Sequence, residues 1–183
     1  MKNEWKRRTH EPLIETPVFN VRRDQKVKDE SPREKDFYVI EAVDWVNVIP
    51  ITREEEVVLI ELHRHGTDEL SLEIPGGMID PEDPSPLAAA QRELREETGY
   101  GSDPLVPLGV AHPNPAIQNN RCYTFLAPNA RLVGEQDPDE GESITVVKTP
   151  LSQVPQLIHD GRITHSLVIA GFFWYYLGET LIP

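Results

Sequence analysis

Three carboxylates set the chemistry of this chain. Glu93 and Glu97 stand four residues apart and Glu96 three from Glu93, so on a helix all three side chains turn toward one region of space. Like charges held that close repel one another unless positive charge sits among them. A hard divalent cation with oxygen ligands supplies it, and Mg²⁺ takes only a few carboxylates and keeps waters for a phosphate substrate. Arg92, four residues before Glu96, is spaced to pair with it and fix its rotamer. An isolated E-x-x-E-E is more often just an exposed acidic face. The turn before it, Pro75-Gly76-Gly77, reverses that judgement, because two residues without a Cβ let the backbone come close to a bound ion or phosphate.

The elements that position these groups follow from local signals. Ser85 is a good N-cap, Pro86 fits the first helical position and Gly99 stands just past the end, so the pattern predicts a helix over 86–98 with Leu87, Ala90 and Leu94 on its buried face. A strand over 70–75 leads straight into the glycine turn. Further strands are expected at 37–43, 45–49, 57–62, 105–111, 121–127 and 144–148, with two helices at 151–160 and 165–177. Strands on both sides of one central helix, with two helices near the C-terminus, describe an α/β (α+β) protein, an α/β/α sandwich on a mixed sheet.

Gly77 and the run Arg92-Glu93-Leu94-Arg95-Glu96-Glu97-Thr98-Gly99-Tyr100 together resemble the Nudix box, G-x5-E-x7-R-E-U-x-E-E-x-G-U, with U apolar or aromatic. The second half matches at every fixed position. The first half departs: Asp83 stands six residues after Gly77, the loop is one residue longer than the pattern, and Pro84 falls where the family has its first Glu. Whether Asp83 replaces that Glu stays open.

Beyond the box, the chain is similar to the branch of the family that contains the ADP-ribose pyrophosphatases and nucleoside-diphosphate-sugar hydrolases. That resemblance implies metal ligation by the Gly76 carbonyl, Glu93, Glu96 and Glu97, with Mg²⁺ as the ion and Mn²⁺ as an alternative, and Arg92 as structural support. It assigns Arg64, at the end of a strand, to the substrate's phosphates or ribose, and Glu73 to substrate contact. Asn114 and Gln118, in an amide-rich loop at 112–121, are candidates for the rim of the site. A mobile acidic loop at 134–143 would bring in a carboxylate that binds metal or activates water, Glu142 first and Glu140 second. Glu96 is a further catalytic candidate, and the identity of the general base stays open. His63 and His65, two residues apart at a strand end, are expected to point to opposite faces, which argues against joint metal binding.

With 183 residues, the chain holds one full domain at 37–183 and an extension at 1–36. The extension contains one short β-like piece at 16–22. Resemblance to the same branch suggests its exchange between the subunits of a homodimer, the other reading being a disordered leader. A net charge of −13 gives no global attraction to nucleic acid or acidic membranes. The lone Cys122 rules out an internal disulfide and reads as a small buried residue. No apolar run follows the basic N-terminus, and the longest, at 167–177, is about half the ~20 residues a membrane span needs. A cytoplasmic protein is expected.

The expected reaction is metal-dependent hydrolysis of the pyrophosphate bond of a nucleoside diphosphate linked to a sugar, ADP-ribose or another NDP-sugar. The products are a nucleoside monophosphate and a sugar phosphate. The alternatives are another diphosphate substrate (a dinucleoside polyphosphate, a coenzyme A or an RNA 5′ end) and a module that senses nucleotide sugars without cleaving them.

Overall fold

A computed structural model describes residues 5–28, 31–138, 141 and 143–181. The chain divides into two compact units, Met1–Val43 with His112–Arg121, and Asp44–Ala111 with Cys122–Pro183.

The first unit is a three-stranded antiparallel sheet in the order β1 (Trp5–Glu15), β2 (Phe19–Lys28), β3 (Ser31–Ala42). The turn between β1 and β2 is closed by Thr16, whose hydroxyl accepts the Phe19 amide at 3.0 Å. Asp24 is 1% exposed in mid-sheet, ringed by Arg7, Arg22 and Lys26. Burial alone would push its carboxyl up, and the hydrogen bond and charge of Arg22 outweigh that and hold it below its ordinary value. The 112–121 segment joins this unit through a parallel bridge between Ile40 and Gln118. The sequence-based boundary at residue 36 thus falls inside β3.

The second unit is built on a six-stranded mixed sheet. Its strands are β4 (Trp45–Ile51), β5 (Glu56–Arg64), β6 (Glu69–Glu73), β8 (Val106–Ala111), β9 (Cys122–Pro128) and β11 (Thr145–Pro150), in the order β11-β5-β4-β9-β8 with β6 also paired to β5. The β4 and β9 pair is parallel and the others are antiparallel. A small ladder joins β7 (Tyr100–Gly101) to β10 (Arg131–Leu132). The helices are α1 (Pro86–Thr98), α2 (Val154–His159) and α3 (Ser166–Leu181).

Strand alternation explains the layers. Val46 and Val48 of β4 pack with Ala89, Ala90 and Leu94 of α1, whereas Ile49 of β4 and Val57 and Leu59 of β5 pack with Val154 of α2 and Val168 and Phe172 of α3. Successive side chains of one strand point to opposite faces, so α1 covers one face of the sheet and α2 and α3 the other. This is the expected sandwich on a mixed sheet.

The α1 caps are as predicted: Ser85 Oγ accepts the Ala88 amide at 3.2 Å, and Gly99 takes the left-handed conformation at φ 73°. The buried stripe differs. Leu87 is 39% exposed, and the stripe runs through Ala90, Leu94 and Glu97 instead. The expected 151–160 helix begins as a 3₁₀ turn, Leu151–Gln153, before α2. Among the described residues no helix is long and apolar enough to cross a membrane.

Candidate active site

The glycine turn is stitched to β4 by backbone hydrogen bonds from Val46 to the Gly77 carbonyl and from Val48 to the Pro75 carbonyl, each 2.9 Å. The fit is close enough to demand glycine. A Cβ on Gly76 would lie 2.2 Å from the Val46 carbonyl oxygen, and one on Gly77 would lie 2.5 Å from Glu93 Oε1. Glu97, only 4% exposed, accepts the Gly76 amide at 2.7 Å. Two carboxylates of α1 therefore come to rest on the two glycines.

Arg92 organises the remaining acids. Its Nη1 donates to Glu93 Oε1 and to Glu96 Oε2, both at 3.0 Å, so a single nitrogen holds two of the three box carboxylates. Its Nη2 reaches Asp83 Oδ2 at 2.8 Å, the Met78 carbonyl at 3.0 Å and Asp80 Oδ2 at 3.3 Å. These contacts raise the Arg92 pKa, the Asp83 hydrogen bond foremost, and the same bond holds the Asp83 carboxyl below its ordinary value. Asp83 also accepts the Asp80 amide at 2.9 Å. Its carboxylate thus ties the one-residue-longer loop back onto Arg92.

Among the described residues no three Asp, Glu, His or Cys side chains are already gathered as a ligand set; guanidinium and amide N–H groups hold the box carboxylates. The donor chemistry still fits a divalent cation. Carboxylate oxygens are what Mg²⁺ prefers, and the missing Gly77 Cβ leaves the space in which Glu93 sits.

A second cluster lies at the end of β6. Glu73 is 2% exposed and takes a two-pronged contact from Arg64, Nε to Oε1 and Nη2 to Oε2, both 2.8 Å. His165 Nδ1 meets the same Oε2 at 2.8 Å. Burial alone would push the Glu73 carboxyl up, but the Arg64 and His165 hydrogen bonds overcome it and hold the group far below its ordinary value. The expected substrate-contacting acid is therefore enclosed behind Arg64. His165 escaped the sequence reading because it lies 92 residues from Glu73 and no local pattern links them.

The acidic loop begins on α1. Asp137 donates its amide to the Glu96 carbonyl at 2.9 Å, and Gln136 Nε2 donates to the Glu97 carbonyl at 2.6 Å. Two orphan carbonyls of the last helical turn are satisfied in this way. Glu140 and Glu142 lie outside the described residues.

Asn114 and Gln118 belong to the first unit, whereas Arg64, Glu73 and the box belong to the second. The Asn114 carbonyl accepts the Gln118 amide at 2.7 Å, closing a tight turn. Asn119 Oδ1 accepts the Ala42 amide at 3.2 Å, and Asn120 donates to the Val43 carbonyl at 3.1 Å, so these two amides brace the loop. His63 and His65 do not lie on opposite faces: residues two apart along an extended strand share one face, and the two rings meet in an edge contact with centroids 5.1 Å apart. Cys122 is 1% exposed and burial pushes its thiol up to about 12, as suits an inert packing residue.

A mixed-sheet sandwich with a glycine turn facing an R-E-L-x-E-E-T-G helix defines the class, and a model of the NUDIX domain family matches residues 42–171. The chain belongs to the Nudix family and is a Nudix hydrolase. Members of the family generally use divalent metals. The chain is 25% identical to an ADP-ribose pyrophosphatase of Bacillus subtilis over 74% of each chain. It is 27% identical to an ADP-ribose pyrophosphatase of Mycobacterium tuberculosis over 88% of this chain and 78% of the relative. A methanol dehydrogenase activator of Bacillus methanolicus is 28% identical over 74% of each chain. The crystal structure of an ADP compounds hydrolase superposes with a TM-score of 0.83 at 22% identity, over 94% of this chain and 92% of that one, which shows the shared fold.

Proposed function

We propose that this protein hydrolyses the pyrophosphate bond of a nucleoside diphosphate linked to a sugar, with ADP-ribose as the first substrate to test. The products are a nucleoside monophosphate and a sugar phosphate. The observation that carries the reading is the convergence of Glu93 and Glu97 on Gly77 and Gly76, with Arg92 bridging Glu93 and Glu96. The names of the relatives, ADP-ribose pyrophosphatases among them, support the choice of substrate class.

Glu93, Glu96, Glu97 and the Gly76 carbonyl would hold the metal, Mg²⁺ or in its place Mn²⁺. Bound there, a divalent ion offsets the charge of the pyrophosphate oxygens and acidifies a water. The chain's own contribution is mainly positioning. Arg92 keeps Glu93 and Glu96 from rotating away, and Glu97, buried against Gly76, fixes the turn relative to the helix. Arg64 contacts the substrate from the end of β5. Glu142, or Glu140, supplies the base from a loop whose start is tied to α1 through Gln136 and Asp137.

We further assign the protein to the cytoplasm, where the lone buried Cys122 stays reduced, and to a homodimer. The support for a dimer is β1, an edge strand exposed along its whole length with Leu13 and Ile14 among its residues. Purified protein assayed with Mg²⁺ or Mn²⁺ against ADP-ribose, GDP-mannose, a dinucleoside polyphosphate, coenzyme A and capped RNA, with products identified, tests the reading. Binding without product would favour a sensor.

A further inference from the structure

The second cluster contains a donor and acceptor arrangement that the box chemistry leaves unused. Glu73 Oε2 receives both Arg64 Nη2 and His165 Nδ1 at 2.8 Å, so an almost fully enclosed carboxylate fixes two side chains that are themselves part exposed. Side-chain exposure is 3% for Glu73, 44% for Arg64 and 35% for His165. An ionised carboxylate only accepts hydrogen bonds, so the bond to His165 requires the proton on Nδ1. In the neutral ring that leaves Nε2, on the opposite edge, as an acceptor. Among the described residues Nε2 has no hydrogen-bond partner.

We infer that His165 is a substrate-contacting residue whose Nε2 accepts a hydrogen bond from a hydroxyl of the substrate's terminal sugar, with Glu73 as the positioning residue that sets its tautomer and orientation. This rests on the nucleotide-sugar reading above. An acceptor nitrogen repels phosphate oxygens, and the charge of Arg64 beside it is offset by Glu73, so this corner of the site is near neutral. The sugar hydroxyls are the donors that match it. The distance suits the role: Glu73 and Gly76 are three residues apart, so their Cα atoms lie within about 11 Å of each other, and a sugar linked through a diphosphate held at the glycine turn extends over that range. Placement of His165 is independent of the box, since its carbonyl accepts the Ile169 amide at 3.1 Å in the first turn of α3.

The competing explanation is that His165 merely satisfies Glu73 and docks α3. Substitution by asparagine separates the two, because the Asn Nδ2 takes over the position and donor role of Nδ1 while Nε2 is lost. His165→Asn is expected to melt within about 3 °C of wild type and to bind ADP-ribose about tenfold more weakly in calorimetric titrations with chelator present, the loss of one hydrogen bond. Its affinity for ADP, which lacks the terminal sugar, is expected to stay within about twofold of wild type on the same grounds. With Mg²⁺, KM for ADP-ribose rises and kcat changes little. Equal binding of ADP-ribose by the variant and wild type, or an equal loss for ADP, would overturn the assignment. Failure of the wild type to cleave any diphosphate would instead sink the functional reading, and the binding comparison would still decide the role of His165.

Discussion

Glu97 accepts the Gly76 amide at 2.7 Å across a sequence separation of 21 residues while only 4% exposed. The helix and the turn are therefore one rigid unit at the point where the site is built. The two glycines predict different failures. Gly76→Ala drives a Cβ to 2.2 Å from the backbone oxygen of Val46, which cannot move without β4, and is expected to cost about 1–3 kcal/mol of stability, measured by urea unfolding. Gly77→Ala meets the end of the Glu93 side chain at 2.5 Å, which can swing away. That variant should fold normally and need about tenfold more Mg²⁺ for half-maximal turnover, in the range typical of disturbed metal surroundings.

Arg92 donates from Nε, Nη1 and Nη2 to Asp83, Glu93, Glu96 and the Met78 carbonyl. A lysine ammonium is one compact charge and cannot span those acceptors. Arg92→Lys is expected to lose about 1–3 kcal/mol of stability, read from thermal melts, together with a rise in the Mg²⁺ required for turnover. Unchanged melting and Mg²⁺ dependence would show that the bridge between the loop and Glu96 contributes nothing.

Glu73 gives the protein an acid-sensitive contribution to stability. Its folded-state carboxyl lies below the ordinary 4.5, so between the folded value and 4.5 the unfolded chain binds more protons and stability rises with pH. The contribution is fully present above that range and is lost as pH falls toward the folded value. Glu73→Gln removes it. The difference in urea midpoint between wild type and variant should therefore shrink as pH drops from about 5 to about 3, and a constant difference would contradict the pairing.

The sequence made the box helix legible because its signals are local: Ser85, Pro86 and Gly99 mark the ends, and the glutamate spacing marks the acidic face. What it hid was set by contacts distant in the chain. The β1 sequence WKRRTHEPLIE has no alternation to betray a strand, since every residue of it is exposed. Leu87 has the right spacing for the buried stripe, yet Glu97 takes a place there because Gly76 offers its amide. His63 and His65 were misjudged for a different reason: strand side chains repeat with a period of two, so residues two apart share a face, as the contact between their rings shows. The sequence leaves open whether Asp83 replaces the first box Glu, and only the folded loop reveals its bond to Arg92. His165 carries no signal in sequence, and its relation to Glu73 exists only after α3 has packed.

The most direct test is turnover of ADP-ribose by the wild type and by Glu97→Gln across a Mg²⁺ titration, with products identified. Glutamine keeps an acceptor for the Gly76 amide, so the variant should fold, while the loss of a charged ligand should lower turnover about 100-fold or more. The account predicts Mg²⁺-dependent release of AMP and a sugar phosphate by the wild type and near-absence of both with the variant. Equal, Mg²⁺-independent turnover by the two proteins, or no product from the wild type with any diphosphate, would contradict it.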